Sequence, residues 1–294
     1  MKLNSGLKKA IAYNIVFHNS YYSLHNFRKI SYFLSFRKSG RTWVHNVLAD
    51  YAARKYGCVN SPSDFSTNPS RDNEYTKKLS RKISFRHDFH ISGINPANTK
   101  SEFTRSLYRK LPSLFLVRDP RDTLVSYYHH VIDRAHIAEQ AGKTWWLRSE
   151  TSIDDFAIAN ERGLKSIVNF LNTLALFSQH HGNNVRFYYY EDLRSSHGDF
   201  NLPTWTSMFN HLLQADVDAD ALEWALESNS FANMRQKYDA YKKTRVGRHP
   251  EVQGRIRSGK VGGYKNELSG TAQAFCNEYI ERNLNSFFDR YKSH

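Results

Sequence analysis

The six residues from Arg37 to Thr42 read RKSGRT and combine three cations, two hydroxyls and one glycine. The preceding YFLSF has the composition of a short buried strand, and the apolar spacing from Thr42 onward predicts a helix. A turn between a strand and a helix directs backbone N–H groups and the positive end of the helix dipole at one point, which suits a phosphate. The sequence therefore predicts an anion-binding loop.

This loop differs from the P-loop of ATPases and kinases. That loop has two glycines separated by four residues, and the second is followed by Lys and then Ser or Thr. Here Gly40 is the single glycine of the run, and Lys38 precedes it. A nucleotide kinase with a degenerate P-loop stays an alternative, as does a basic turn that only caps a helix.

A second cation follows another predicted strand. Residues 113–117 (SLFLV) favour a buried strand that ends at Arg118, and Pro120 suits the first turn of a helix. Ser126 follows Arg118 by eight residues, enough for the chain to turn from the strand into that helix. The alternative role of Arg118 is a salt bridge to Asp119 or Asp122.

The segments around these residues alternate between strand and helix patterns. Strands are predicted over 32–36, up to Phe85, over 113–117 and over 185–190, and helices are predicted over 164–181, 218–231 and 267–288. This alternation indicates an α/β fold, a P-loop-like domain with a central parallel sheet flanked by helices on both faces. Ligands of such sheets bind beyond the carboxyl ends of the strands. The cationic loop, residues 86–88, Arg118 and Tyr190 are therefore expected at one edge.

The positive charge is concentrated in two segments of a chain with a net charge of +14. Residues 1–60 carry ten Lys or Arg and one Asp, and residues 235–265 carry ten Lys or Arg and two acids. Such segments, distant in sequence, are predicted to meet around an anion. A nucleic-acid-binding surface is the competing interpretation, but the sequence has no RNA-recognition, zinc-finger or repeat signature. We expect no nucleic-acid partner.

Cysteine content and hydropathy indicate the compartment. The two cysteines, Cys58 and Cys276, give no disulfide framework, and no apolar run reaches transmembrane length. We expect a cytoplasmic protein without a transmembrane segment, whose basic N terminus leaves peripheral membrane contact open. We also expect a single domain over 1–294, with a core of about 30–290 and an N-terminal extension of 1–29.

Three motifs, in order along the chain, resemble those of the PAPS-dependent sulfotransferases and are closer to bacterial members. YFLSFRKSGRTW is similar to the family's 5′-phosphosulfate loop, a strand followed by PKSGTTW. LFLVRDPRDTLVSYYHH is similar to its 3′-phosphate motif, and RIRSGKVGGYKNEL to its RKGxxGDWKN lid. The resemblance covers the chain from about residue 30 and implies that 3′-phosphoadenosine 5′-phosphosulfate (PAPS) is the sulfonate donor, with no metal.

The resemblance also implies which residues contact the donor. Lys38 and the loop amides hold the phosphosulfate, Arg118, Ser126 and the lid hold the 3′-phosphate, and two aromatic rings sandwich the adenine. The expected contacts are Lys38, Ser39, Gly40, Arg41, Thr42, Trp43, Arg118, Ser126, Tyr190, Phe231, Arg257, Ser258 and Gly259. Two departures make the loop more cationic than the family pattern, since Arg37 replaces a Pro and Arg41 replaces a Thr.

Two residues are expected to carry the chemistry. Lys38 is implied to stabilise charge on the bridging oxygen as it leaves. A general base must take the proton of the acceptor hydroxyl, and the family places a His at the end of the second strand. His87 occupies that position, whereas His90 and Asp88 stay alternatives.

No motif in the sequence identifies the acceptor. Residues 60–80, 131–155 and 235–255 are expected to shape its pocket. Their polar character, with Trp145, Trp146 and several Tyr, favours a carbohydrate or glycolipid alcohol over a steroid.

Overall fold

The computed structural model describes residues 31–55, 83–87, 112–181, 184–194, 200–244 and 259–292. Four strands of five residues form one sheet: β1 Ser31–Ser35, β2 Ile83–His87, β3 Ser113–Val117 and β4 Val185–Tyr189. Their order is β2-β1-β3-β4, and all three neighbouring pairs are parallel. The predicted parallel sheet is confirmed, and the carboxyl ends of its strands share one edge.

Eight helices accompany the sheet in the described part of the chain: α1 Arg41–Lys55, α2 Pro120–Gln140, α3 Ile153–Ile158, α4 Leu164–His181, α5 Leu202–Leu213, α6 Ala219–Ser228, α7 Phe231–Thr244 and α8 Gly270–Asn283. Short 3₁₀ segments span Tyr190–Leu193, Gly263–Asn266 and Ser286–Tyr291. Helix α2 begins as predicted, because Pro120 lies in its first turn and the Asp119 side chain accepts a hydrogen bond from the Arg121 backbone N–H.

Alternate side chains of the central strands enter two separate cores. Phe33 and Leu116 pack with α1, α5 and α6 on one face, whereas Leu34 and Phe115 pack with α2, α4 and α8 on the other. All four side chains are almost completely buried. Because side chains alternate along a strand, this pattern requires helices on both faces. The predicted fold class is confirmed.

Two predicted helices are each broken into two elements. The pattern over 267–288 forms α8 and a 3₁₀ segment, because Leu284 adopts an extended conformation (ψ 133°) and the Asn285 side chain caps the next segment. The pattern over 218–231 ends at Ser228, and α7 begins at Phe231. The strand predicted to end near Phe85 continues to His87, and β4 ends one residue before Tyr190.

A buried polar network ties the C terminus to the ends of β3 and β4. Asp119 pairs with Arg121 at 2.8 Å, and Arg121 also donates to the Tyr291 carbonyl. The Tyr291 hydroxyl donates to Glu191, which accepts the Asp119 backbone N–H. Burial raises the pKa of Glu191, although these hydrogen bonds oppose the rise. The network fixes the backbone beside Arg118.

Candidate active site

The loop after β1 is anchored by an aromatic contact and has an uncommon backbone. The buried ring of Phe36 lies 5.6 Å from that of Tyr127 in α2, centroid to centroid. Lys38 and Gly40 have φ angles of 70° and 99°. A lysine in the left-handed region is uncommon, and such strain is concentrated at functional sites. The Trp43 backbone N–H then donates to the Gly40 carbonyl at 3.0 Å, which starts α1.

Tyr190 contacts all three sequence motifs. A Cβ added to Gly40 would lie 2.6 Å from Tyr190 Cδ2, so the ring rests on the loop backbone. The guanidinium of Arg118 lies 4.4 Å from the centre of the same ring. The Tyr190 hydroxyl donates to the carbonyl of Gly259 at 3.3 Å. One side chain thus joins the loop, the end of β3 and the lid motif.

Arg118 is buried at the junction of the motifs. Its guanidinium donates to the carbonyls of Lys38 (3.4 Å) and Lys260 (3.0 Å) and lies 3.6 Å from Asp122. The salt bridge considered for Arg118 therefore exists with Asp122, whereas Asp119 pairs with Arg121. Arg118 Nε is buried with no hydrogen-bond partner among the described residues. A buried guanidinium with an unused donor is suited to an anion.

Asp122 holds the second half of the lid motif against α2. Its carboxylate accepts the backbone N–H groups of Gly262 at 2.7 Å and Tyr264 at 3.0 Å. Gly259 has a φ of 61°, and a Cβ there would lie 2.9 Å from Phe231 Cδ2. The predicted contacts Arg257 and Ser258 lie outside the described residues.

The two aromatic residues predicted to contact the adenine lie on different helices, Trp43 on α1 and Phe231 at the start of α7. Trp43 is 6% exposed, its ring centre lies 5.0 Å from that of Trp205, and its indole N–H donates to the Asn229 carbonyl at 3.0 Å. Phe231 follows Asn229 by two residues and is half-buried. Trp43 is thus also a core residue, and the adenine sandwich stays a prediction.

A buried polar contact fixes the turn before Phe231. Asn229 donates to an Asp50 carboxylate oxygen at 2.8 Å, and Lys237 lies 3.5 Å from the same oxygen. Burial raises the pKa of Asp50, while Lys237 and Asn229 lower it. These contacts join α1 to the turn between α6 and α7, and so place Phe231 beside the loop.

These elements enclose a cavity of about 380 Å³ at the carboxyl edge of the sheet. Such a volume is in the range of small-molecule sites. The predicted contacts that line it are Lys38, Gly40, Arg41, Thr42, Trp43, Arg118, Ser126, Tyr190, Phe231 and Gly259. Ser39, another predicted contact in the same loop, is 1% exposed and is not among the residues that line the cavity.

Other lining residues were missed by the sequence analysis: His45, Asn46, His130, Arg134, Arg194 and Met234. One signal was available, because His130 and Arg134 follow Ser126 by four and eight residues and so share its face of α2. Arg194 follows the YEDL segment directly, and its guanidinium lies 5.5 Å from the centre of the Trp43 ring.

His45 is neutral at pH 7. Burial, and then the charge of Arg41, lower its pKa from 6.5 to about 4. It therefore lines the cavity without adding positive charge.

The backbone of β2 places His87 at the same edge of the sheet. His87 pairs in register with Ser35, the last residue of β1 and the third before Lys38. The alternatives, Asp88 and His90, lie outside the described residues.

The tryptophans expected to shape the acceptor pocket do not line this cavity. Trp145 is exposed, and Trp146 packs against Phe156 with the Arg162 guanidinium 4.8 Å from its ring centre. A larger cavity of about 810 Å³ lies at the amino ends of β3 and β4, beside Pro112 and Asn184. None of the described residues that line it belongs to the three motifs.

The Sulfotransferase domain family model matches residues 32–288. The chain belongs to the sulfotransferase family. Mouse sulfotransferase SULT7A1, solved in complex with PAP, is 17% identical with a TM-score of 0.54, over 90% of this chain and 86% of that chain. Retinol dehydratase in a complex with retinol and PAP is 15% identical with a TM-score of 0.54, over 88% of this chain and 82% of that chain. No curated protein sequence matches the chain.

The family match confirms that the protein is a sulfotransferase, and the similar structures share its fold. No helix among the described residues is long and apolar enough to cross a membrane. The extent of the single domain stays a prediction, since residues 1–30 lie outside the described part.

Proposed function

We propose that this sulfotransferase moves the sulfonate group of PAPS to the hydroxyl of an acceptor. The family match supports the reaction class. The two similar structures contain PAP, which is PAPS without its sulfonate, and this supports PAPS as the donor. The acceptor attacks sulfur, the bond from sulfur to the bridging oxygen breaks, and PAP leaves.

The contact of Tyr190 with Gly40, Arg118 and Gly259 carries the proposal. It brings the loop proposed for the phosphosulfate, the arginine proposed for the 3′-phosphate and the lid motif to one cavity. PAPS has two anionic ends separated by an adenosine, and therefore needs two anion sites with an aromatic region between them. Trp43 and Phe231 line that region.

The residues present fit the donor chemically. Arg118 Nε is a buried donor without a partner in the described part of the chain, and it suits a phosphate oxygen. Ser126 lines the cavity two turns along α2 from Asp119 and adds a hydroxyl donor. Gly40 has no side chain where the ring of Tyr190 approaches, so the loop backbone and the ring can be close together.

Lys38 is proposed as the group that stabilises the leaving oxygen. Negative charge grows on the bridging oxygen as the sulfur–oxygen bond breaks, and a fixed ammonium stabilises that charge in the transition state. The φ of 70° at Lys38 indicates that the loop holds this residue in a specific backbone conformation.

His87 is proposed as the general base. Its register opposite Ser35 supports this role, because it places the residue one strand away from the loop of Lys38. A neutral imidazole would accept the proton of the acceptor hydroxyl as the new oxygen–sulfur bond forms. Asp88 and His90 remain the rivals for this role.

The direct test uses PAPS with radiolabelled sulfur and a panel of alcohols, phenols, glycans and glycolipids. We expect label to move to at least one acceptor with release of one PAP per product, and Lys38→Ala to prevent the transfer. A protein that binds neither PAPS nor PAP would contradict the proposal. Transfer of phosphate from ATP to the same acceptors would favour the kinase alternative.

A further inference from the structure

The carboxylate of Asp122 is buried close to the cavity and contacts groups from two other segments. One oxygen accepts the Gly262 backbone N–H at 2.7 Å and lies 3.6 Å from the Arg118 guanidinium. The other oxygen accepts the Tyr264 backbone N–H at 3.0 Å. The side chain is 2% exposed, and Asp122 is not among the described residues that line the cavity. A group in this place acts on a bound donor through its neighbours rather than by contact.

Both terminal nitrogens of Arg118 are directed at protein groups. Nη1 donates to the Lys38 carbonyl at 3.4 Å, and Nη2 donates to the Lys260 carbonyl at 3.0 Å. Nη2 is also the atom that lies 3.6 Å from Asp122, and the guanidinium lies 4.4 Å from the centre of the Tyr190 ring. Nε is the buried donor without a partner in the described part of the chain. The salt bridge to Asp122 therefore orients Arg118 and leaves one donor for an anion.

Arg118 and Asp122 hold the same short segment of the lid motif, residues 260–264. The arginine donates to the carbonyl of Lys260, and the carboxylate accepts the N–H groups of Gly262 and Tyr264. All three contacts use the backbone of the segment, so they fix its position whatever side chains it carries. A change at Asp122 would therefore displace both the arginine and the segment proposed for the 3′-phosphate.

We propose that Asp122 is a positioning residue for the 3′-phosphate of the donor. It holds Arg118 and residues 260–264 as one unit, and so makes the protein prefer PAPS and PAP to nucleotides that lack this phosphate. The inference rests on the proposed function and adds the residue that arranges one of its two anion sites.

The charge of Asp122 alone predicts the opposite effect. A carboxylate beside a phosphate-binding arginine repels the phosphate, so that its removal would tighten PAP binding. Asn has the size of Asp but offers one acceptor and one donor in place of two acceptors. However the amide is turned, its NH2 group faces a buried backbone N–H, that of Gly262 or that of Tyr264. We expect this loss of position to outweigh the loss of repulsion, and the sign of the change distinguishes the two roles.

Calorimetric titration of PAP and AMP into wild type and Asp122→Asn tests the proposal. PAP affinity should fall about tenfold and AMP affinity should change little, because AMP has no 3′-phosphate. In turnover, the KM for PAPS should rise more than kcat falls. Asp154→Asn is the matched control: Asp154 also lies in the first turn of a helix, and it accepts the Ser269 backbone N–H at 3.2 Å. Tighter PAP binding by Asp122→Asn, or equal losses for the two nucleotides, would overturn the proposal.

A double-mutant cycle shows whether Asp122 acts through Arg118. If it does, the PAP affinity of Arg118→Gln/Asp122→Asn should lie within about threefold of that of Arg118→Gln alone. A purely structural role of Asp122 would instead lower the affinity of the double variant by about a further tenfold, as independent sites do.

Amide hydrogen exchange of the wild type tests the same coupling without any variant. If the segment held by Asp122 favours PAP, then PAP must stabilise that segment in return. Exchange at Gly262 and Tyr264 should therefore be slower with saturating PAP than with saturating AMP, and equal rates would contradict the proposal. Failure of the proposed function would instead appear as wild type that does not bind PAP.

Discussion

The ring of Tyr190 occupies the space where a side chain on residue 40 would lie: an added Cβ would be 2.6 Å from Cδ2 and 2.9 Å from Cε2. Tyr190 cannot move away easily, because it is 6% exposed, lies beneath Arg118 and donates to Gly259. Gly40 also has a φ of 99°, which L side chains rarely adopt. The close approach of this loop and Tyr190 therefore defines the shape of the proposed donor site.

Replacing this glycine should damage the site. We expect Gly40→Ala to weaken PAP binding at least about tenfold, because the loop or the ring must shift and the strained backbone costs about 1–3 kcal/mol. Calorimetric titration with PAP measures the change. Gly142→Ala is the matched control, since Gly142 also has a positive φ (64°) but no atom of the described residues lies within 4 Å of its added Cβ. Equal PAP affinity in Gly40→Ala and wild type would show that this contact does not shape the site.

Lys38 should act mainly in the transition state. We expect Lys38→Ala to lower the rate of sulfonate transfer by about 10²-fold or more, with only a modest loss of PAP affinity. Initial rates at saturating PAPS measure the effect, and the exposed Lys143→Ala serves as the control. Turnover of Lys38→Ala near that of wild type would remove the lysine from the mechanism.

His87 should affect turnover but not donor binding. We expect His87→Ala to slow sulfonate transfer by about 10²–10⁴-fold, because the acceptor proton loses its base. PAP affinity should stay unchanged. An inactive His90→Ala beside an active His87→Ala would move the base to His90, and activity in both would make Asp88 the candidate.

His45 should make stability depend on pH. Its pKa of about 4 in the folded protein lies below the ordinary value of 6.5, so the unfolded chain binds more protons between these pH values. Its contribution to the free energy of unfolding is therefore present above pH 6.5 and is lost as the pH falls towards 4. The slope reaches at most about 1.4 kcal/mol per pH unit.

Urea denaturation of wild type and His45→Gln across this pH window checks the sign. The free energy of unfolding of wild type minus that of His45→Gln should decrease as the pH falls from 6.5 towards 4. A constant difference would mean that His45 does not titrate abnormally in the folded protein.

The fold could be predicted where local signals agreed with tertiary packing. Strand β3 matches its predicted span of 113–117 because all five residues are apolar or small and Pro120 begins the next helix. The break at Leu284 was missed because the apolar pattern continues across it, and the cap that ends α8 is a backbone conformation. The split between α6 and α7 depends on Asn229, whose partners Asp50 and Trp43 are distant in sequence.

The motifs of the candidate site could be predicted from the sequence, but the full set of residues that line the cavity could not. The sequence predicts that Lys38, Arg118 and Tyr190 lie at one edge because each follows the carboxyl end of a strand of one parallel sheet. The role of Tyr190 as the contact between motifs depends on packing between segments far apart in the chain. Arg134 belongs to none of the motifs, and it lines the cavity from α2, the helix of 21 residues that also carries Ser126.

The central claim is that one cavity holds both anionic ends of the donor, and calorimetry with PAP and AMP tests it most directly. AMP lacks the 3′-phosphate, so wild type should bind PAP at least about tenfold more tightly. Arg118→Gln should lose about 1.5–3 kcal/mol of binding free energy for PAP and little for AMP. Equal losses for the two nucleotides, or equal affinities in wild type, would contradict the account.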